Sequence, residues 1–338
     1  MTESIKALSM IDGASGRETA VREEIIARLP SDCIYEVDNI GNLIVKKQGK
    51  KRPSNVVMLA SHMDEVGMIV TDINDDGFIR FTTVGGISIS ALLGKRVVVG
   101  ENKIIGVIGV TPIHLRKKED ERKYPKKEQL YIDCGASCKD ELLQFVRPGD
   151  QINFESDYFE NENCIKAKAL DDRAGCAVLL EMLNSELEYD MTFAFTVQEE
   201  VGLRGAGCAA FSVRPDYAIV VETTTASDIS GVSGEKEVCH LNSGAVIPFM
   251  DRTTVYSPEL YQKALELSET CGFKMQTKTV VSGGNDSGVI HKSVGGVKTL
   301  TISFACRYLH SQSCVISKND IPEVVKAVTS LSEYMANV

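Results

Sequence analysis

The sequence predicts an α/β fold that is interrupted by a β-rich insertion. Towards both ends of the chain, short continuous apolar runs alternate with segments of helical periodicity, as expected for strands buried on both faces of a sheet and the helices that cover them. From about residue 67 to 163 the pattern changes to short β-rich runs, separated by turn motifs such as residues 74–77 and 148–150. Such spacing is typical of a small barrel or sandwich. We therefore predict one discontinuous domain, residues 1–66 and 165–338, and an inserted domain, residues 67–164.

The N-terminal segment predicts two helices, over residues 3–10 and 17–29, followed by a hairpin of residues 34–37 and 43–45. The apolar run at residues 56–60 predicts a buried strand, which delivers His62 and Asp64 at its carboxyl end. A carboxylate two residues after a histidine can orient the imidazole ring.

The C-terminal part returns to alternating strands and helices. Helices are predicted over residues 172–184 and 257–271 and from residue 320 onward, and strands over residues 192–197, 217–221 and 300–304. Polar residues follow these strands. Since open α/β sheets bind ligands beyond the carboxyl ends of their strands, we expect these side chains to converge. They are Glu199 and Glu200 after the first strand, Glu222 after the second and His310 after the third.

Composition narrows the classes of function. The 338 residues carry a net charge of −10, which disfavours non-specific attraction to nucleic acid or to an anionic membrane. The N-terminus lacks the apolar run of a signal peptide, and no stretch approaches the length of a membrane span. Ten cysteines are scattered without a C-x-x-C pair, which indicates reduced thiols in the cytoplasm. The charged segment at residues 116–128 is predicted to be a solvated loop.

Two imidazoles and several carboxylates are the ligands that a pair of divalent metal ions needs to hold and activate a water molecule. Asp171, at the end of an apolar run, is placed to bridge two cations, whereas Asp172 could simply complement the dipole of the following helix. Glu199 and Glu200 would repel each other unless positive charge lay beside them. The sequence therefore indicates hydrolytic metal chemistry.

A glycine-rich turn at residues 282–288 leads into a helix. Its spacing fits neither a dinucleotide-binding turn nor a P-loop. We interpret it as a loop that shapes the substrate pocket, with Gly284, Asp286 and the more distant Arg307 as candidate substrate-binding residues.

Five motifs in a fixed order resemble those of the dinuclear-metal aminopeptidases of the tetrahedral (TET) family. This group includes glutamyl and deblocking aminopeptidases and proteins once catalogued as endoglucanase M. The resemblance extends over the whole chain, including the insertion. The motifs are S-H-M-D-E-V-G (61–67), A-L-D-D-R-A-G (169–175), Q-E-E-V-G-L-R-G-A (198–206), G-G-N-D-S-G (283–288) and R-Y-L-H-S (307–311).

The resemblance implies a zinc-peptidase-like α/β/α sandwich with a mixed central sheet, interrupted by a small barrel-like or PDZ-like dimerisation domain. It implies that the discontinuous domain is a catalytic metallopeptidase domain and that the protein forms homodimers or tetrahedral homododecamers. It also implies roles for individual residues: one metal held by His62 and Glu222, the other by Glu200 and His310, Asp171 bridging them, Glu199 as general base and Asp64 as the residue that orients His62.

Three positions depart from the family pattern. The family usually has aspartate where Glu222 stands, threonine where Asn285 stands, and a glutamate in the run 312–314, which ends here in Cys314. Glutamate is a metal ligand at the first position in related zinc exopeptidases, so we expect that change to be tolerated. The other two bear on substrate preference and pocket shape.

The function predicted from these features is a metal-dependent aminopeptidase that hydrolyses short peptides with two divalent ions per subunit, zinc first and cobalt or manganese as alternatives. Two alternatives remain open at this point. One is a catalytically weakened, metal-binding homologue that acts as an assembly protein. The other is a glycosidase with two catalytic carboxylates, which would leave both histidines without a role.

Overall fold

The computed structural model of the chain describes residues 1–115 and 123–338. Its strands in chain order are β1 (Ile34–Val37), β2 (Leu43–Lys47), β3 (Val57–His62), β4 (Gly67–Ile73), β5 (Ile79–Val84), β6 (Arg96–Val99), β7 (Ile104–Val110), β8 (Leu130–Asp133), β9 (Gln151–Phe154), β10 (Phe159–Glu160), β11 (Cys164–Ala167), β12 (Met191–Thr196), β13 (Tyr217–Thr225), β14 (Ala245–Pro248), β15 (Met275–Lys278), β16 (Lys298–Arg307) and β17 (Cys314–Ser317).

The helices of the described residues are α1 (Thr2–Ser9), α2 (Thr19–Ala27), α3 (Ile89–Leu92), α4 (Lys139–Leu142), α5 (Leu170–Leu183), α6 (Arg204–Val213), α7 (Pro258–Cys271), α8 (Ser287–Ile290) and α9 (Asp320–Asn337). Short 3₁₀ turns occur at Ile113–Leu115, Lys127–Gln129 and Gly234–Lys236.

A mixed central sheet confirms the predicted α/β class. Its strands follow the order β1-β2-β12-β3-β13-β16-β17-β11-β10, and β14 and β15 extend it from β16. Its middle is parallel, because β12, β3, β13 and β16 all run in one direction. The carboxyl ends of these four strands therefore lie along a single edge of the sheet.

Helices cover both faces of this sheet. In β3, Val57 and Leu59 belong to the large core beneath α5 and α9, whereas Met58 and Ala60 pack on the opposite face with α6 and α8. Alternation with a period of two is what a strand buried on both sides requires. The arrangement is an α/β/α sandwich.

The insertion forms a closed antiparallel barrel, with the strand order β4-β5-β8-β7-β6-β9 over the described residues. Met68, Val97 and Ile132 are among the apolar side chains that fill its interior. The prediction of a small barrel or sandwich is therefore confirmed. The following strand β10 pairs with β11 of the central sheet, so the barrel itself extends from Gly67 to Phe154.

Several elements differ in extent from the prediction. His62 is the last residue of β3, and Glu222 lies inside β13, which continues to Thr225. The helix α6, whose buried residues are the small Gly205, Ala206, Ala209 and Ala210, was not predicted. The predicted loop at residues 116–128 lies partly outside the described residues.

The membrane prediction concerns helices only. Within residues 1–115 and 123–338, no helix combines the length and the apolar character needed to cross a bilayer.

Arg173, in α5, joins the N-terminal segment to the sheet. Its side chain is fully buried, and its guanidinium donates hydrogen bonds to the backbone oxygens of Leu8 (2.5 Å) and Met63 (2.8 Å). Its Nη2 lies 3.6 Å from Oε1 of Glu65, which also accepts a hydrogen bond from Nζ of Lys168 at 2.6 Å. A buried charge persists only when it is paired and hydrogen-bonded in this way.

Replacing Arg173 by methionine should lower the free energy of unfolding by about 3–5 kcal/mol. The change leaves buried carbonyl groups without a donor and removes one positive partner of Glu65. Urea denaturation followed by circular dichroism would measure the loss. Arg17→Met, at an exposed position, is the matched control and should change stability little. Equal stability of the two variants would contradict the structural role of Arg173.

Candidate metal centre

The structure brings the sequence-predicted polar residues together in one cavity at the edge where the parallel strands end. The cavity has a volume of about 650 Å³. His62 ends β3, Asp171 lies in the first turn of α5, and Glu222 lies in the second half of β13. The predicted side chains that line the cavity are His62, Asp171, Glu199, Glu200, Glu222 and His310.

Asp171 is the centre of this group. Its Oδ1 lies 3.3 Å from Nε2 of His62, and its Oδ2 lies 3.2 Å from Nε2 of His310. A carboxylate oxygen completes each half: Oε2 of Glu222 is 3.5 Å from Nε2 of His62, and Oε2 of Glu200 is 3.3 Å from Nε2 of His310. Two groups of potential ligands therefore share one aspartate.

The local backbone presents the Asp171 carboxylate to both imidazoles. The first turn of α5 is irregular, because Asp171 (φ −86°, ψ 102°) and Asp172 (φ −123°, ψ 42°) do not have helical backbone angles. The peptide bond between these two residues is cis. The side chain of Asp172 is fully buried and is not part of the cavity wall. Its oxygens accept hydrogen bonds from Oγ of Ser61 (2.5 Å) and from the backbone N–H of Gly175 (3.1 Å).

Both imidazoles have their Nδ1 atoms directed at carbonyl oxygens. Nδ1 of His62 lies 3.1 Å from the backbone oxygen of Asp64, and Nδ1 of His310 lies 2.8 Å from the backbone oxygen of Gly86. A carbonyl oxygen accepts but does not donate, so Nδ1 carries the proton in each ring. In the neutral imidazole, Nε2 is then free to bind a cation.

The carboxylates of the cavity are crowded and desolvated. Burial raises the pKa of Glu200 to about 8, and the charge of Asp171 adds to the effect. Burial also raises the pKa of Glu199 well above its ordinary value, and that of Glu222 above its own. For Asp171 the same burial effect is outweighed by the two imidazole contacts, which lower its pKa. Cations would replace the protons that such a cluster retains.

The surrounding carboxylates also raise the pKa values of the two imidazoles. Burial by itself lowers the pKa of His62, but Glu222 and the neighbouring aspartates outweigh it and hold this pKa well above its ordinary value. The same balance, with Asp171 and Glu200 as the negative partners, raises the pKa of His310 to about 10. The cavity is thus built to attract positive charge.

Asp64 acts mainly on the neighbouring turn. Its carboxylate accepts hydrogen bonds from the backbone N–H groups of Glu199 (2.9 Å) and Glu200 (3.1 Å) and from Oγ of Ser15 (2.6 Å). Its Oδ1 lies 3.4 Å from Nδ1 of His62, farther than its own backbone oxygen. Asp64 therefore fixes the turn that carries the two glutamates as well as contacting the imidazole.

The ligand set fits divalent metal ions. The side-chain atoms are imidazole nitrogens and carboxylate oxygens, and the potential ligand atoms of His62, Asp171 and Glu200 lie within 4.8 Å of one another. Oε1 of Glu200 is buried and has no hydrogen-bond partner among the described residues, as expected for an atom that serves a cation. A second group within the same limit contains His62, Asp172 and Glu222, and here the two oxygens of Asp172 also accept hydrogen bonds from Ser61 and Gly175.

The three residues predicted to bind substrate occupy different places. Gly284 lines the cavity. Asp286 lies beneath it, fully buried, and accepts a 2.6 Å hydrogen bond from Oγ1 of Thr196. Arg307 is not part of the described cavity wall, because its guanidinium pairs with Asp228 (Nε to Oδ1, 2.7 Å).

Two residues of the cavity were missed from sequence. Lys278, the last residue of β15, lines the wall, and the backbone oxygen of Gly86 reaches His310 from the barrel. The strand β15 reads M-Q-T-K and lacks an apolar run, so the sequence gives little reason to single out its lysine. A backbone oxygen from another domain leaves no signal in the sequence.

The three departures from the family pattern have defined surroundings. Glu222 reaches His62 directly. Asn285 donates a hydrogen bond to Oη of Tyr256 at 3.0 Å, and its Oδ1 accepts one from the backbone N–H of Ser287 at 2.9 Å. Cys314 is buried, with its Sγ 3.5 Å from the backbone oxygen of Tyr308. Their effect on activity remains a prediction.

Comparison with known proteins gives consistent matches. A family model described as M42 glutamyl aminopeptidase matches residues 41–327. A glutamyl aminopeptidase from Lactococcus lactis is 31% identical over 94% of this chain and 92% of its own length. A lysyl aminopeptidase from Pyrococcus furiosus is 29% identical over 98% of this chain and 97% of its own length. The structure of the TET1 peptidase from Pyrococcus horikoshii, described as assembling into a tetrahedron or a large octahedral shell, superposes with a TM-score of 0.86, at 36% identity over 98% of both chains.

Zn²⁺ should raise the unfolding temperature of metal-free protein, because an ion that binds only the folded state stabilises it by about 2.7 kcal/mol at one hundred times its Kd. His62→Ala should remove most of this increase. His114→Ala, at an exposed histidine in a 3₁₀ turn, should keep it. Each protein is compared with its own metal-free form by calorimetry. Full stabilisation of the His62 variant would argue against this metal centre.

Proposed function

This chain belongs to the M42 glutamyl aminopeptidase family, as its motifs indicated, and we propose how its cavity performs the reaction. The protein is an aminopeptidase, a hydrolase of peptides, which confirms the function predicted from sequence. We propose that it removes N-terminal residues from short peptides with two divalent ions, zinc or alternatively cobalt or manganese. The observation that carries this proposal is the position of Asp171 between two imidazoles.

The ligand set divides into two halves. His62 and Glu222 would hold one ion, His310 and Glu200 would hold the other, and Asp171 would contact both through its two oxygens. Bound divalent ions polarise a carbonyl group and lower the pKa of a water molecule.

Glu199 is the proposed general base. It lines the cavity next to Glu200, and no imidazole of the described residues lies within ion-pair distance of its carboxylate. Its carboxylate takes a proton from the attacking water and then delivers this proton to the leaving amine as the peptide C–N bond breaks. The products are a free amino acid and a peptide shortened by one residue.

The cavity also supports a preference for an acidic first residue. Among its described lining residues, Lys278 is the one lysine or arginine. Its Nζ donates one hydrogen bond, to the backbone oxygen of Ser282 (2.9 Å), and burial lowers its pKa below the ordinary value. A half-buried ammonium group with donors to spare gains from a carboxylate partner.

The nearby acidic residue Asp251 does not satisfy this lysine. Asp251 is buried, and its oxygens accept hydrogen bonds from the backbone N–H groups of Thr253 (2.7 Å) and Thr254 (2.8 Å) and from Oη of Tyr256 (2.5 Å). The side-chain carboxylate of an N-terminal glutamate or aspartate would therefore be the partner of Lys278. A lysyl substrate would instead meet like charge.

We further propose that the barrel forms a homodimer interface and that dimers assemble into tetrahedral dodecamers. Exposed apolar side chains on β7, Ile105 and Val107, support an interface on the barrel, as do Ile113 and Leu115 in the adjacent turn. A cytoplasmic location is supported by the cysteines, because all ten are free thiols in the structure.

Glu199→Gln should reduce kcat by at least about 100-fold, because the amide cannot take the proton, whereas metal content should stay unchanged. Steady-state kinetics and elemental analysis of the same preparation would measure both. Glu162→Gln, on the exposed surface, is the control. Wild-type turnover in the Glu199 variant would refute its role as the base, and loss of metal would reassign it as a ligand.

Lys278→Met should lower kcat/KM for glutamyl substrates by about 10–100-fold, since a hydrogen bond to a charged group is worth about 1.5–3 kcal/mol. Hydrolysis of a leucyl substrate should change little. Lys274→Met, four residues away and exposed, should affect neither substrate. If the Lys278 variant loses activity equally on glutamyl and leucyl substrates, the proposed preference is incorrect.

A further inference from the structure

One imidazole of the metal centre is held by the inserted barrel. The strand β5 ends at Val84, Gly85 follows it, and the next residue, Gly86, lines the cavity. The backbone oxygen of Gly86 accepts the 2.8 Å hydrogen bond from Nδ1 of His310. The corresponding contact of His62 comes from Asp64, two residues after the end of β3 in the α/β domain.

From this asymmetry we propose that the barrel contributes directly to the metal centre. Its residues Gly85 and Gly86 position His310 and Glu200. This inference rests on the proposed two-ion site. It assigns to the insertion a role in addition to the proposed dimer interface. Only the half of the site that contains His310 and Glu200 depends on the barrel.

The packing of Gly85 explains why no larger residue fits there. A Cβ atom at this position would lie 2.9 Å from Cγ1 of Val66 and 3.3 Å from Cβ of Glu200. Gly85 also has φ +85°, a left-handed conformation that side chains disfavour. The barrel backbone thus approaches the Cβ atom of one proposed metal ligand, Glu200, and the ring of the other, His310.

The loop that carries His310 needs such restraint. Tyr308 (φ 62°) and His310 (φ 55°) both adopt left-handed backbone conformations, which are uncommon for residues with side chains. The loop has a second contact with the end of the barrel, because Nε2 of Gln312 donates a hydrogen bond to the backbone oxygen of Glu155, the residue after β9. Two contacts from the barrel, one just after β5 and one just after β9, therefore hold the loop in place.

Gln312 gives a test that leaves the barrel backbone untouched. Only a donor can satisfy the carbonyl oxygen of Glu155, so Gln312→Glu replaces a hydrogen bond by repulsion at nearly constant size. Gln312→Leu removes the donor without adding charge. Both changes should loosen the His310 side of the site and spare the His62 side.

The matched pair for the glycine contact is Gly85→Ala and Gly94→Ala. Gly94 lies in the same barrel and also has a left-handed backbone, with φ +70°, but a Cβ atom there would have nothing within 4 Å. The two substitutions therefore impose similar backbone strain, and only the first one pushes against Val66 and Glu200.

The experiment is a titration of metal-free protein with Zn²⁺ against a chromogenic chelator, which reports the stoichiometry and affinity of each site without using activity. Gly85→Ala, Gln312→Glu and Gln312→Leu should each weaken one of two sites by about 10–100-fold and leave the other unchanged. Gly94→Ala should bind both ions like the wild type. If Gly85→Ala does not fold, the two Gln312 variants carry the test.

Two results would overturn the inference: unchanged affinity at both sites in the Gly85 and Gln312 variants, or equal weakening of both sites. The wild-type titration separates this failure from failure of the proposed function. Wild-type protein that binds two equivalents of Zn²⁺ preserves the proposed function even if the variants behave like it. Wild-type protein that binds none would remove both proposals.

Discussion

The carboxylate of Asp171 lies between two imidazole rings, 3.3 Å from Nε2 of His62 and 3.2 Å from Nε2 of His310. The rest of the site depends on this position. It requires neighbouring parallel strands to end at one edge, so that residues far apart in sequence meet. It also requires both rings to direct their Nδ1 atoms away from the cavity, towards carbonyl oxygens. The α/β domain supplies one of those oxygens, and the inserted barrel supplies the other.

A cluster of buried carboxylates is costly unless positive charge accompanies it. The protein meets this constraint in two ways. At the centre, the imidazoles and the proposed cations offset the acidic groups. Around it, further buried carboxylates accept hydrogen bonds: Asp64 accepts them from the backbone N–H groups of Glu199 and Glu200, and Asp286 accepts one from the hydroxyl of Thr196. Lys278 places one positive charge on the same cavity wall. A peptide with a free amino terminus and an acidic first side chain would complement this cavity. Its positive amino group would face the carboxylates, and its negative side chain would face Lys278.

Much of the fold and most of the candidate site were predictable from sequence, because strands buried on both faces and motifs that follow them are local signals. The residues that the sequence placed at strand ends, from His62 to His310, meet in one cavity. Arg307 did not follow this logic. It ends a central strand like the others, yet its guanidinium pairs with Asp228, and no local pattern records that long-range ion pair. Lys278 and Gly86 were missed for the same reason, since their importance comes from residues distant in the chain.

The sequence by itself determined the fold class, the barrel-like character of the insertion and the types of ligand atom. Hydrophobic periodicity and side-chain chemistry are local properties that can be recognised in short segments of the chain. The tertiary structure alone decided which oxygen faces which imidazole and that the barrel reaches His310. These features depend on strand order, on the irregular first turn of α5 and on the approach of two domains. Each is a long-range packing outcome that the local sequence does not encode.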